Sequence, residues 1–294
     1  MTSKSKSIIK YIIAVLLLTL ILSRTDISEI AGYFKRISLS NILLAFLVIN
    51  IAQFFSAMRM RYFFEKSNFP LSIKYSFILF SVGGFYNFLL PGGIGGDAYK
   101  VILARKRMEM PTAQGIRIMI ADRASGLCVI ILIMLTALYL IDINHYFSYA
   151  NIILLFGALI NIAAYLFASN LLLKQSCKNM LLSLPYSLIV QSLWVLSLYF
   201  LWESLGNGIN FSAYIVLYAA SSIASMLPIS VGGLGIREMT YFYGAALISK
   251  YTGISVDGEL GVALSLCIFA LSFFSSLIGL FWLNKVTHSE INKN

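Results

Sequence analysis

At 294 residues, 59% of them hydrophobic and 12% charged, with a mean hydropathy of +0.85, the chain is too apolar to bury its side chains in one water-soluble core, which excludes an ordinary soluble enzyme. Its formal net charge of +10 reads as the positive bias of cytoplasmic membrane loops. Anionic lipid headgroups are therefore the expected partners of those loops, and nucleic acid is not.

The first apolar run, Ile8 to Ser23, follows Lys4, Lys6 and Lys10 and has the outline of a signal peptide. Ser23-Arg24-Thr25 is not a small-residue cleavage site, so the run is read as an uncleaved membrane helix. Leu39 to Met58 follows as a second span, and Leu71 to Leu90 runs directly into Pro91 and two glycine pairs. Beyond the basic stretch Arg105 to Arg117 come Ile118 to Ile141, Tyr149 to Ala168 and Leu181 to Trp202. Phe211 to Met226 then meets a second proline, and Leu260 to Leu283 closes the series. Each run approaches the ~20 residues that span a bilayer as a helix. Cys128, Cys177 and Cys267 lie far apart and have neither disulfide nor zinc spacing.

One phrase occurs twice. Pro91-Gly92-Gly93-Ile94-Gly95-Gly96 ends in Asp97 and Lys100, and Pro228-Ile229-Ser230-Val231-Gly232-Gly233 ends in Arg237 and Glu238. In both copies a β-branched residue and a glycine pair follow the proline, a cation stands nine residues after it, and the copies begin 137 residues apart. Proline and paired glycine break helices, and backbone freed at membrane depth must meet protein or line a wet cavity. Broken apolar segments at matching positions of two halves point to a transporter's binding site.

Charge counting decides how these segments sit. If all eight runs cross the membrane, the 19 Lys and Arg outside the motifs divide 9 to 10. If Leu71 to Ala104 and Phe211 to Ser249 instead dip in and return as re-entrant hairpins, 15, Arg59 among them, fall on one side. Only Arg24, Lys35, Arg36 and Lys250 fall opposite, the bias expected of a cytoplasmic face. The expected fold is therefore all-α and integral to the membrane, with about six spanning helices plus two re-entrant helical hairpins in an inverted repeat. It forms a single domain over residues 1–294, with repeats over about 8–141 and about 149–283. Both termini are expected in the cytoplasm, and the protein in the cytoplasmic (inner) membrane.

Asp97, Lys100, Asp122, Arg123, Arg237 and Glu238 lie in or beside the motifs. Charge at this depth is costly enough that such groups pair or line a polar path. Two readings stay open: structural ion pairs that neutralise the bundle, or a phosphate grip by Lys100 and Arg237. In the second, helix N-termini after Gly95-Gly96 and Gly232-Gly233 add N–H donors, and Asn87 flanks the first motif. Arg123, at the cytoplasmic end of its helix, either snorkels or joins this group. Asn50, Gln53, Asn161 and Gln191 are expected to hydrogen-bond between helices, and Tyr86, Tyr99, Tyr241 and Tyr243 to anchor at the interface. His145 and His288 have no partnered cysteine or acidic cluster, and no metal or nucleotide motif occurs, so no catalytic residue, metal or cofactor is expected.

Asn87 through Asp97, Asp122-Arg123-Ala124-Ser125-Gly126, and Leu227 through Glu238 together resemble the flippase-like transmembrane family, homologous to the membrane part of lysylphosphatidylglycerol synthases. The resemblance covers essentially the whole chain. Lys100 and Asp122 stand where Arg and Glu are expected in that family, and both keep the charge. The resemblance implies a flippase moving a lipid between leaflets; the aminoacyl-transferase domain of the synthases is not expected, because the sequence stops at Asn294.

The expected function is transport of an anionic phospholipid or lipid-linked intermediate, passive or driven by a coupling ion, by a monomer or homo-oligomer. The alternatives are a membrane transferase acting on a polyprenyl-phosphate-linked sugar, with Asp97 or Glu238 as base, and a non-transporting accessory subunit of envelope polysaccharide assembly.

Overall fold

Long apolar runs satisfy their backbone groups internally only as helices or closed barrels. Among the described residues of this computed structural model, every regular element is a helix. The structure describes residues 15–16, 18–21, 23–89, 95–141, 148–171, 174, 176–205, 210–227 and 232–288. The expected first span, Ile8 to Ser23, thus lies largely outside the described residues, as do both proline turns, Pro91 to Ile94 and Pro228 to Val231, and His145.

The first helix with both ends described, α1 (Ile27–Arg36), has no counterpart among the apolar runs. Asp26 caps it. The Ser28 hydroxyl, followed by the backbone N–H groups of Ser28 and Glu29, holds the Asp26 carboxyl below its ordinary range. Ile30 and Tyr33 face inward, and the Tyr33 hydroxyl donates to the Asp257 carboxylate. Mixed composition hid this helix from a search for unbroken apolar sequence.

The long helices are α2 (Leu39–Lys66), α5 (Thr112–Leu140), α6 (Ala150–Leu171), α7 (Cys177–Leu205) and α10 (Gly258–Ser276), the last continuing after Leu277 into α11 (Ile278–His288). Five stretches, Leu39–Lys66, Thr112–Leu140, Ala150–Ser169, Cys177–Leu205 and Gly258–Leu283, are long and apolar enough to cross a membrane. The chain is a multi-pass membrane protein.

Between them lie four short helices. They are α3 (Ile73–Leu89, 17 residues), α4 (Gly95–Met108, 14), α8 (Phe211–Ala224, 14) and α9 (Ile236–Thr252, 17). At 1.5 Å per residue they extend only ~21–26 Å, less than the ~30 Å hydrocarbon core. Consecutive members pack side by side, α3 on α4 and α8 on α9, while α2 and α7 share the most extensive interface.

Glycine sets the first of these contacts. A Cβ at Gly96 would lie 1.9 Å from the Gly83 carbonyl oxygen, so α3 and α4 touch backbone to backbone. Gly96→Ala is expected to cost ~1–3 kcal/mol through overpacking and to lower the melting temperature in detergent. Gly84→Ala, which meets nothing within 4 Å, should leave that temperature unchanged.

Two apolar cores lie toward opposite ends of the long helices. One contains Ala45, Ile130, Leu201, Tyr214 and Leu260; the other contains Met60, Phe64, Leu79, Ile118 and Met180. Both cores draw on α2, α5 and α7, from opposite ends of each. Polar side chains collect in the layer between.

Candidate functional site

Asp97, in the first turn of α4, organises the first cluster. Its Oδ1 accepts from Lys100 Nζ at 3.1 Å, and its Oδ2 accepts from Arg123 Nε. The two cations differ in exposure. The Lys100 side chain is 5% exposed and its ammonium sits 4.5 Å above the Phe80 ring, whereas the Arg123 side chain is 34% exposed. Gly83 makes room for the lysine, since a Cβ there would meet Lys100 Cε at 2.2 Å.

The Gly96 N–H donates to Asn87 Oδ1 at 2.9 Å. Asn87 thereby ties the end of α3 to the start of α4 and uses a helix N-terminal donor that the sequence reading had assigned to a phosphate.

Asp122 belongs to a separate, sealed pair. Arg59 Nε and Nη2 donate to its two oxygens at 2.7 and 3.2 Å, and Nη1 donates to the Ser187 hydroxyl at 3.0 Å. Both residues are 7% exposed. Gly126 leaves the space, because its Cβ would come within 2.9 Å of Arg59 Nη1. Arg59 must therefore leave the cytoplasmic count, which becomes 14 to 4 on the charge reading. It lies one helical face away from Arg61, and sequence spacing could not show that it turns inward toward an unpaired aspartate.

Around the second motif, Gly232, Gly233 and Gly235 take φ of 61°, 85° and 82°. Three left-handed residues so close together need glycine, and they delay α9 until Ile236. Glu238 is fully buried. Its Oε2 accepts from the Gly235 N–H at 2.7 Å and its Oε1 from the Ser265 hydroxyl at 2.8 Å, a capping arrangement for α9. Arg237 turns the other way. Its Nε is buried without a hydrogen-bond partner among the described residues, and a Cβ on Gly233 would come within 2.9 Å of that nitrogen.

Arg123 and Arg237 meet at a cavity of about 340 Å³. Its wall also contains Asn87, Gln53, Ser56, Ser222, Ser225, Ser272 and Ser276, with the aromatic residues Phe80, Phe88 and Trp194. Gly232 completes the wall where its Cβ would reach the Phe269 ring at 3.1 Å. Gln53, Arg123 and Trp194 lie near the midpoints of α2, α5 and α7, so the cavity occupies the polar layer between the two cores.

Several sequence expectations shift here. Lys100 does not line the cavity; Arg123 does. The apolar run that begins at Ile118 predicts a helix with Arg123 at its cytoplasmic end. The helix starts at Thr112, placing Arg123 well inside it. Asn50 and Gln53 both bond Ser275, and Asn161 and Gln191 bond the Cys128 and Gly126 carbonyls, each between helices as expected. Tyr241 is not interfacial, being 1% exposed, and Tyr86 stacks on Tyr99 with centroids 4.1 Å apart.

The family model described as the lysylphosphatidylglycerol synthase TM region matches residues 7–176 and 167–279. The chain belongs to this family of membrane proteins tied to lipid metabolism or transport. No curated protein matches it.

Proposed function

We propose that this member of the lysylphosphatidylglycerol synthase TM-region family is a lipid flippase whose mid-depth cavity carries a phosphate-bearing headgroup between leaflets. The observation that carries the reading is the meeting of two arginines, one from each half of the chain, at one polar cavity between two apolar cores. Arginine presents a planar fork of donors suited to phosphate, and both Arg123 and Arg237 line this cavity.

In this reading α3–α4 and α8–α9 are re-entrant hairpins, and the two halves form an inverted repeat. Four helices too short to cross, two in each half of the chain beside the matching segments of proline and paired glycine, support it. In the same reading both termini lie in the cytoplasm and the protein in the inner membrane, with the Lys and Arg bias of the sequence in support. Rocking of one half against the other would open the cavity to each leaflet in turn, while the acyl chains stay in the bilayer. A volume of about 340 Å³ suits a headgroup and not a whole lipid.

Asp97 fits an exchange step. When Arg123 swings to the phosphate, Lys100 stays behind as the counter-ion, so the buried carboxylate is never left bare. Lys100, Gly95, Gly96 and Asn87 thereby serve the site by holding Asp97 and the helix start, and Gly232 and Gly233 by placing Arg237. Asp122 and Glu238 hold the frame.

Arg237→Ala is expected to slow leaflet exchange of a labelled phospholipid in proteoliposomes by at least about tenfold, and Arg123→Ala by a similar factor, since each removes a charged hydrogen-bond donor worth ~1.5–3 kcal/mol. Unchanged exchange in both folded variants rules the reading out.

A further inference from the structure

The cavity wall carries cations, hydroxyls and amides, but no carboxylate among its described residues. The neighbouring segments 90–94 and 228–231 contain no acidic residue in the sequence either. Each of the three interior carboxylates is already committed. Asp122 gives both oxygens to Arg59, Asp97 divides its two between Lys100 and Arg123, and Glu238 accepts from Gly235 and Ser265.

Against these three stand four cations, Arg59, Lys100, Arg123 and Arg237. Among the described residues the count leaves one positive charge over, and it falls at the cavity, where Arg123 and Arg237 face a wall that offers no carboxylate. A surplus charge at membrane depth is costly, and the cost is removed by a ligand bearing one negative charge.

Resting on the transport reading above, we propose that the substrate is a lipid with a hydroxyl-bearing phosphodiester headgroup of net charge −1, such as a phosphoglycerol, and that amine-bearing headgroups are disfavoured. A monoanion balances the unmatched cation, and Ser56, Ser225, Ser272 and Ser276, which each give their proton to a carbonyl of their own helix, keep oxygens that can accept from the hydroxyls of its polar end. A zwitterionic headgroup leaves the surplus in place. A lysylated phosphoglycerol, with a net charge of +1, raises it to two and finds no carboxylate for its ammonium groups on the described wall. The family's description refers to a synthase of a cationic lipid; this cavity is charged for the uncharged-side-chain precursor class instead.

The test compares acyl-chain-labelled phosphatidylglycerol, phosphatidylcholine and lysylphosphatidylglycerol in proteoliposomes of the full chain. Phosphatidylglycerol is expected to exchange between leaflets at least about tenfold faster than either other lipid, in keeping with the cost of one unpaired charge at depth. Ser222→Asp, which adds a carboxylate to the wall, should erase that preference. Equal or faster movement of the lysyl lipid by the unaltered protein overturns the assignment.

A second readout separates this assignment from transport itself. Deacylated phosphatidylglycerol should raise the melting temperature of the unaltered protein but not of Arg237→Ala, and glycerophosphocholine should raise neither. If no lipid moves but this selective stabilisation is present, the transport reading fails and the headgroup assignment stands. If inorganic phosphate stabilises as well as the deacylated lipid, the site is one for free phosphate and the headgroup assignment fails.

Discussion

Arg59→Met is expected to destabilise the protein by ~3–5 kcal/mol, the cost of stripping one partner from a buried ion pair. The prediction rests on where Asp122 would be left. Both of its oxygens face Arg59, at 2.7 and 3.2 Å, and the pair is 7% exposed on each side. No other cation forms an ion pair with Asp122 among the described residues. The double variant Arg59→Met/Asp122→Leu removes the orphaned charge along with its partner and should recover most of the loss, because two apolar side chains of similar volume fit a buried layer without desolvation cost. Neither residue lines the cavity, so the folded double variant should still move lipid. Chemical unfolding in detergent gives the stabilities. If the single and double variants are equally unstable, packing around Gly126 or the bond to Ser187 matters, and the ion pair does not.

The same pair shows what could be read from residues alone. The long helices were legible because apolar runs longer than a bilayer have one structural outcome, and five of the six expected spans appear among the described residues. The four short helices were legible as interruptions: proline and paired glycine mark where α3 and α8 must stop. Hidden in the sequence was direction. Arg59 and Arg61 sit two positions apart near the end of the same helix, yet one reaches inward to Asp122 and the other pairs outward with Glu65. That choice depends on which carboxylate packs against the helix 63 positions later in the chain. Likewise Lys100 and Arg123 both looked able to face a ligand. Only packing at Gly83, which buries the lysine against Phe80, assigns the cavity to the arginine. The amphipathic α1 escaped for a different reason: its apolar residues form one stripe, Ile30 and Tyr33 toward α10, with too many charges between them to register as a span.

Substitutions at Asp97 and Lys100 should separate stability from exchange. Asp97→Asn leaves two cations facing a neutral amide. Lys100, with a side chain 5% exposed, cannot reach water, so the variant is expected to lose ~3–5 kcal/mol of stability along with lipid movement. Lys100→Met removes a charge but leaves Asp97 paired to Arg123, and the methionine side chain can still pack on Phe80. Its folding should stay close to that of the unaltered protein. Its transport should not, because Arg123 is now the only cation on Asp97 and its departure to a phosphate would bare a buried carboxylate. Exchange is expected to slow by at least about tenfold, a barrier increase of ~1.4 kcal/mol or more, with melting temperature nearly unchanged. Full-rate exchange in Lys100→Met would mean that Arg123 never leaves Asp97 during the cycle. Phosphate binding would then fall to Arg237 alone, and Asp97 with both its cations would be structural, like Asp122 and Arg59.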